Sequence, residues 1–270
     1  MEESYMKKNL TIDHLSVKYG EKLAVEDVSF CLPDGKIRVI VGESGSGKTT
    51  LLRAVGGLLP TGGKIVSGDI FLQEKNLAKL SEIEWHDVHG RKIGYIFQNP
   101  EQSLSPLTKI GKQFVECACA GGWQKRAEIL KNAELLLKKL RFEDPERILK
   151  SYPFELSGGM CQRIAIALAI MNHPVLLLAD EPTSALDVNA QNMTIETLLD
   201  LRERTGLSML VVTHNMEVAF RLADEIGVMY QGKIIESGTP EQILNKPMES
   251  YTKKLMEAIP KMRSEIEDLL

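Results

Sequence analysis

Apolar residues at Leu10, Ile12, Leu15 and Val17 alternate loosely with polar ones, which predicts a half-buried strand over 10–19 ending at Tyr19-Gly20. Val25–Leu32 reads as a second strand, turned at Pro33-Asp34-Gly35. Ile37–Val41 is a short apolar run, and Ile65–Gln73 alternates again after Thr61-Gly62-Gly63. Early antiparallel strands around the Ile37–Val41 strand predict a sheet mixed at its edge. Ser81–Arg91 is polar enough for a solvated helix, and Ile93–Phe97 is a short buried strand closing at Gln98-Asn99-Pro100. From Ile110 to about Leu149 the period becomes helical: Leu130, Ala133, Leu137 and Leu140 form a stripe, with Lys131, Lys138 and Lys139 on the wet side. Cys161–Met171 is apolar nearly all round, a buried helix. Val175–Ala179 and Met209–Thr213 are continuous apolar runs, as strands covered on both faces are. Asn192–Arg204 and Ala219–Ala223 read as helices. Gln231-Gly232 turns a hairpin between Ile226–Tyr230 and Lys233–Glu236, and short helices follow at Pro240–Leu244 and Ser250–Ile259.

Between Ile37–Val41 and the helix opening at Leu51 lies Gly42-Glu43-Ser44-Gly45-Ser46-Gly47-Lys48-Thr49-Thr50. This fits G-x-x-x-x-G-K-[ST] in the strand–loop–helix context that a P-loop requires. Gly42, Gly45 and Gly47 let the backbone curl round a polyphosphate and turn its N–H groups inward, with the helix N-terminus behind them. Lys48 is placed for the β- and γ-phosphates and Thr49 for Mg²⁺. Nucleotide binding is therefore expected, with Ser44 and Thr50 completing the cradle.

Composition narrows the class. The chain has 270 residues, is 43% hydrophobic and 26% charged, and carries a net charge of −4. That describes a globular protein with a full core and no basic field for nucleic acid. Cys31, Cys117, Cys119 and Cys161 lack the spacing of a disulfide scaffold. Cys117 and Cys119 do not share a helix face, so small buried thiols are expected rather than a metal pair. His86 and His89 likewise lack further ligands nearby. Met1–Leu10 is polar, with no signal peptide, and no apolar run reaches the length of a membrane span. A cytoplasmic protein is expected, with any membrane role exercised through a partner.

Three apolar strands end in polar side chains that suit phosphate chemistry: Gln98, the Asp180-Glu181 pair and His214. Asp180 is placed to hold Mg²⁺ through its water shell, and Glu181 to take a proton from an attacking water. Glu181 favours hydrolysis over transfer. His214 could hydrogen-bond a γ-phosphate, and Gln98 could reach the metal or the water. Ligands in open α/β sheets bind at these carboxyl ends. A second phosphate site is indicated at Ser157-Gly158-Gly159, where a Ser cap and two glycines open the buried helix. Two such sites in one chain are reconciled by a head-to-tail dimer, with each ATP between the P-loop of one subunit and the Ser157–Gly159 cap of the other.

The ordered set GESGSGKT, FQNP, LSGGM, LLLADE, SALD and His214 resembles the ATP-binding subunit of ABC transporters over almost the whole chain. The resemblance implies a P-loop RecA-like α/β core with an antiparallel β edge and an inserted helical subdomain. It implies a single ATP-binding domain over 1–270, with the helical part at roughly 99–170 and a C-terminal tail at roughly 238–270. Tyr19 looks like the aromatic that stacks on adenine, and Gln98 like the glutamine that joins Thr49 and Asp180 around Mg²⁺. Ser157 and Gly159 look like the residues touching the partner's ATP, Asp187 like the aspartate at the dimer seam, and His214 like the switch histidine. Met160 stands where many members have Gln. Implied partners are two permeases docked near 98–105 and the helical subdomain, a second ATP-binding subunit, identical or paralogous, and indirectly an extracytoplasmic solute-binding protein. The implied location is the cytoplasmic face of the inner membrane.

Asn99–Pro106, Tyr152–Ser157, Tyr251-Thr252 and Ala258-Ile259-Pro260 resemble the oligopeptide, dipeptide and nickel importer branch. Peptide-carrying members often continue into a Cys-containing extension. No Cys follows Cys161 here, which shifts weight toward a nickel or metal-chelate importer. The rival is an ABC-type ATPase that remodels ribosomes or nucleic acid. Such a protein would usually carry two cassettes, or a long coiled coil between P-loop and signature, and neither is present.

Overall fold

The computed structural model describes residues 8–184 and 186–257. Ala185, the segment before Lys8 and the Ala258–Pro260 part of the expected tail lie outside them. The chain forms two compact units, one running to Leu80 and resuming at Leu201, the other Ser81–Asp200.

In the first unit, β1 (Lys8–Tyr19) and β2 (Lys22–Pro33) form a hairpin, followed by β3 (Ile37–Val41), helix α1 (Lys48–Val55), β4 (Gly63–Leu72) and β5 (Lys75–Asn76). The loose alternation of β1 has a structural cause. Leu10 and Ile12 are buried, as are Leu15 and Val17, so the inward parity changes between them. His14 takes up that change in a bulge at φ 49°, and Asp27 does the same in β2 at φ 52°. His14 Nδ1 lies 2.6 Å from Asp27 Oδ1 across the bulge. On the other side Gly68 sits at φ 86°, where an added Cβ would stand 2.4 Å from the His14 carbonyl.

The second unit contains α2 (Glu82–Arg91), β6 (Ile93–Ile96), α3 (Pro100–Ser103), α4 (Ile110–Ala120), α5 (Arg126–Lys139), α6 (Pro145–Lys150), α7 (Gly158–Ile170), β7 (Leu176–Asp180) and α8 (Val188–Thr205), whose last turns belong to the first unit. Ser81 opens α2 with a capping box closed by Glu84. Ile129, Ala133, Leu137 and Leu140 are buried in a core with Ile110, Phe114, Ile164 and Ala167. The stripe of α5 therefore begins at Ile129 rather than Leu130, which is only partly buried. Strands β6 and β7 pair in parallel.

The chain returns to the first unit with β8 (Ser208–Thr213), α9 (Met216–Leu222), β9 (Glu225–Tyr230), β10 (Lys233–Gly238), α10 (Pro240–Asn245) and α11 (Ser250–Glu257). Strand β3 lies between β9 and β8, parallel to both, and β10 runs antiparallel to β9. Gln231 at φ 47° and Gly232 at φ 85° make the expected two-residue hairpin turn. The early antiparallel strands do not extend this sheet: they form a separate one in the order β2-β1-β4-β5. Alternating strands bury one face, whereas β3 and β8 are buried along their whole length and so belong inside a covered parallel sheet. Arg38 is the one charge in β3. Its guanidinium is bonded to Glu225 at 2.7 Å and stacks on Phe30 at 4.4 Å. Burial pushes its pKa below the ordinary value, with Glu225 opposing.

Cys161 is buried and Cys117 half-buried, but Cys119 is exposed, contrary to expectation. Two residues along a helix is about half a turn, so burying Cys117 turns Cys119 outward.

Candidate functional site

In the first unit, Gly42–Thr50 joins the carboxyl end of β3 to α1. Gly42 (φ 155°), Gly45 (φ 82°) and Gly47 (φ 110°) all adopt backbone conformations that favour glycine. A Cβ on Gly42 would stand 2.2 Å from the Met229 carbonyl, and one on Gly47 2.3 Å from the Ala24 carbonyl. The loop is thus pressed against the β9–β10 hairpin and β2, and the Gly232 N–H donates to the Ser46 carbonyl at 2.8 Å. Gly47 is the N-cap of α1 and supplies no side-chain cap. A helix so begun presents its first-turn N–H groups to an anion. Lys48 is buried, and its Nζ donates to the Gly42 carbonyl at 2.7 Å and the Glu43 carbonyl at 2.9 Å. This cradle, with a cation folded into it, fits a polyphosphate. Ser44 is exposed, and Thr49 and Thr50 are half-buried in the first turn.

Val41 pairs with Thr213 in β8, so Gly42 and His214 leave the sheet at the same level. His214 is exposed. Asn215 behind it caps α9, its side chain accepting from the N–H groups of Glu217 and Val218. Tyr19 ends β1 half-buried, opposite Gly63. A Cβ on Gly63 would meet the Tyr19 ring at 2.6 Å, so this glycine makes room for the aromatic. The Gly62-Gly63 doublet was the only sign of that in the sequence.

In the second unit, Ile96 pairs with Ala179, which brings Gln98 and the Asp180-Glu181 pair out at one end of β6 and β7. Asp180 and Glu181 are buried, at 2% and 8% exposure, while Gln98 is exposed. Glu181 stands in the left-handed region at φ 50°, a conformation costing about 1–2 kcal/mol for a residue with a Cβ. Strain of this kind concentrates where side-chain direction matters more than stability. Ser184 Oγ ties the two loops together, donating to the Glu181 carbonyl at 2.9 Å and the Gln98 carbonyl at 3.4 Å. Ser184 belongs to the Ser184–Asp187 motif, but this bridge depends on a fold that linear spacing does not display.

Ser157 caps α7 as expected, its Oγ accepting the Met160 N–H at 3.3 Å, and its side chain is exposed. Gly159 has a packing reason as well, since an added Cβ would stand 3.2 Å from that of Ala190. Asp187 caps α8, accepting the Ala190 N–H at 2.9 Å. Tyr251 was missed as a P-loop neighbour: its hydroxyl accepts the Glu43 N–H at 3.1 Å across 208 positions of sequence.

Known proteins share this organisation. The pattern of the ABC transporter family matches residues 25–184. The oligopeptide transport ATP-binding protein OppD of Bacillus subtilis is 40% identical over 252 residues, covering 93% of this chain and 70% of that protein. The dipeptide transport ATP-binding protein DppD of Lactococcus lactis subsp. cremoris is 37% identical over 268 residues, covering 97% and 77%. A dimeric ATP-binding cassette solved in a post-hydrolysis state with ADP and Pi superposes with a TM-score of 0.75 at 30% identity, over 86% of this chain and 98% of that one.

Proposed function

The chain belongs to the ABC transporter family and is an ATPase, and from this premise we propose that it powers peptide import as one of two ATP-binding subunits on a pair of membrane permeases. The P-loop carries the reading: a buried Lys48 folded onto the Gly42 and Glu43 carbonyls, at a helix start capped only by glycine. Relatives named for oligopeptide and dipeptide transport favour peptides over nickel chelates, and transport over ribosome or nucleic-acid remodelling.

The proposed mechanism assigns each residue a task. Lys48 and the backbone N–H groups of Gly45–Thr50 bind the β- and γ-phosphates, with Ser44 at the rim and Tyr19 against adenine. Thr49, Gln98 and Asp180 are the side chains assigned to Mg²⁺, offering the oxygen donors that ion takes, and the ion would supply neutralisation of phosphate charge. Glu181 accepts a proton from water as the water oxygen attacks the γ-phosphorus and the bond to ADP breaks. His214 steadies the γ-phosphoryl oxygens. Ser157 and Gly159 of a second subunit close the site from the other side, with Asp187 at the seam. ATP closes the pair and hydrolysis reopens it.

Among the described residues no helix is long and apolar enough to cross a membrane. The proposed attachment, supported by relatives named as transport ATP-binding proteins, is peripheral, on the cytoplasmic face of the inner membrane, through permeases that a solute-binding protein loads from outside. The test is reconstitution of this chain with its co-purifying membrane subunits and binding protein. Peptide should stimulate phosphate release several-fold and a nickel chelate should not. The opposite pattern would overturn the peptide assignment.

A further inference from the structure

Glu43 is joined to Gly42 by one peptide plane, and that plane is held at both ends. Its carbonyl, from Gly42, accepts Lys48 Nζ at 2.7 Å, and its N–H, from Glu43, donates to the Tyr251 hydroxyl at 3.1 Å. A trans peptide points these two groups in opposite directions, so Lys48 holds it from inside the loop and Tyr251 from outside. Tyr251 is itself well anchored. Its ring packs on Tyr230 with centroids 4.3 Å apart. The start of α11 is tied down by Glu236, whose carboxylate accepts the Met248 N–H at 2.7 Å and the Glu249 N–H at 3.1 Å. Tyr230 ends β9, and the hairpin that follows supplies the Gly232 N–H to the Ser46 carbonyl. The loop is therefore braced by two connected elements on its outer side.

We propose that Tyr251 is a positioning residue of the P-loop, coupling the C-terminal helix α11 to nucleotide binding. The proposal rests on the reading of Gly42–Thr50 as a nucleotide site. When Lys48 turns to a phosphate it relinquishes the Gly42 carbonyl, and Tyr251 is then what keeps this plane from rotating a carbonyl toward the anion. Coupling of this kind is reciprocal: if docked α11 favours nucleotide, nucleotide favours docked α11.

The test uses the full chain and a non-hydrolysable ATP analogue with Mg²⁺. Tyr251→Phe keeps the ring on Tyr230 and removes only the hydroxyl. Loss of the hydroxyl's hold on the loop predicts a Kd for the analogue about threefold to tenfold higher, with a fall in melting temperature of at most a few degrees. Hydrogen exchange adds a readout that a merely structural role would not move: the analogue should slow exchange over 250–257 in the wild type and leave it unchanged in Tyr251→Phe. An unchanged Kd in Tyr251→Phe, or a rise seen only where the variant is partly unfolded at the assay temperature, overturns the positioning role. So does exchange over 250–257 that ignores the analogue in the wild type. Wild-type protein that binds no better than Lys48→Ala would instead remove the nucleotide reading itself.

Discussion

Val41 and Thr213 are direct partners across the parallel strands β3 and β8, so the P-loop and His214 begin at one level of one sheet. Residues 172 positions apart thus share a rim, with His214 exposed and held from behind by the Asn215 cap. The expected outcome of His214→Ala is a fall in turnover of about 10- to 100-fold, the worth of a hydrogen bond to a charged group. Analogue affinity should stay within a few-fold. Phosphate release and equilibrium binding, measured side by side, separate the two; a large loss of affinity with unchanged turnover per bound ATP would contradict the assignment.

Two loop glycines should differ. Gly42→Ala drives a Cβ to 2.2 Å from the Met229 carbonyl, whereas a Cβ on Gly45 meets nothing within 4 Å among the described residues. Gly45→Ala should cost only the left-handed conformation, about 1–2 kcal/mol. Gly42→Ala adds a backbone clash that β9 cannot relieve by a side-chain move. Thermal melts should therefore place Gly42→Ala clearly below Gly45→Ala. Equal melting temperatures would mean that the loop does not press on β9.

Acid should loosen α11. Burial works to raise the Glu236 carboxyl, and the Met248 N–H, the Thr252 side chain, the Glu249 N–H and the Lys253 charge together outweigh it, so its pKa lies below the ordinary Glu value. A depressed carboxylate contributes stability that is full above the unfolded pKa, about 4.3, and is lost as pH falls through the folded value. Near-ultraviolet circular dichroism of the Tyr230–Tyr251 pair should decline over that acid range in the wild type. In Glu236→Gln it should be weaker at neutral pH and flat across the range. A wild-type signal that stays constant as the carboxyl titrates would count against Glu236 tying down the start of α11.

Much of this was legible before any fold was known, for physical reasons. A P-loop motif needs contiguous residues, so the Gly42–Thr50 pattern is legible in the sequence, as are Gln98, Asp180 and His214 at or just past the ends of β6, β7 and β8. Continuous apolar runs marked β7 and β8 because both faces are covered. The bulges at His14 and Asp27 appeared only as a loss of alternation, since parity slips by one without any distinctive residue. The separate antiparallel sheet was misread as an edge because strand order is a tertiary choice. Tyr251 was hidden by distance: a tyrosine in a short C-terminal helix carries no local sign that its hydroxyl meets Glu43.

In the proposed mechanism the chain is one half of an ATP-dependent clamp, with Glu181 as the base that lets it reopen. Sedimentation of Glu181→Gln with and without ATP and Mg²⁺ checks both parts at once. The predicted result is a monomer without nucleotide and a stable dimer with it, retaining unhydrolysed ATP while phosphate release falls by about 10²–10⁴-fold. A mass that does not respond to ATP, or phosphate release at the wild-type rate, would contradict the account.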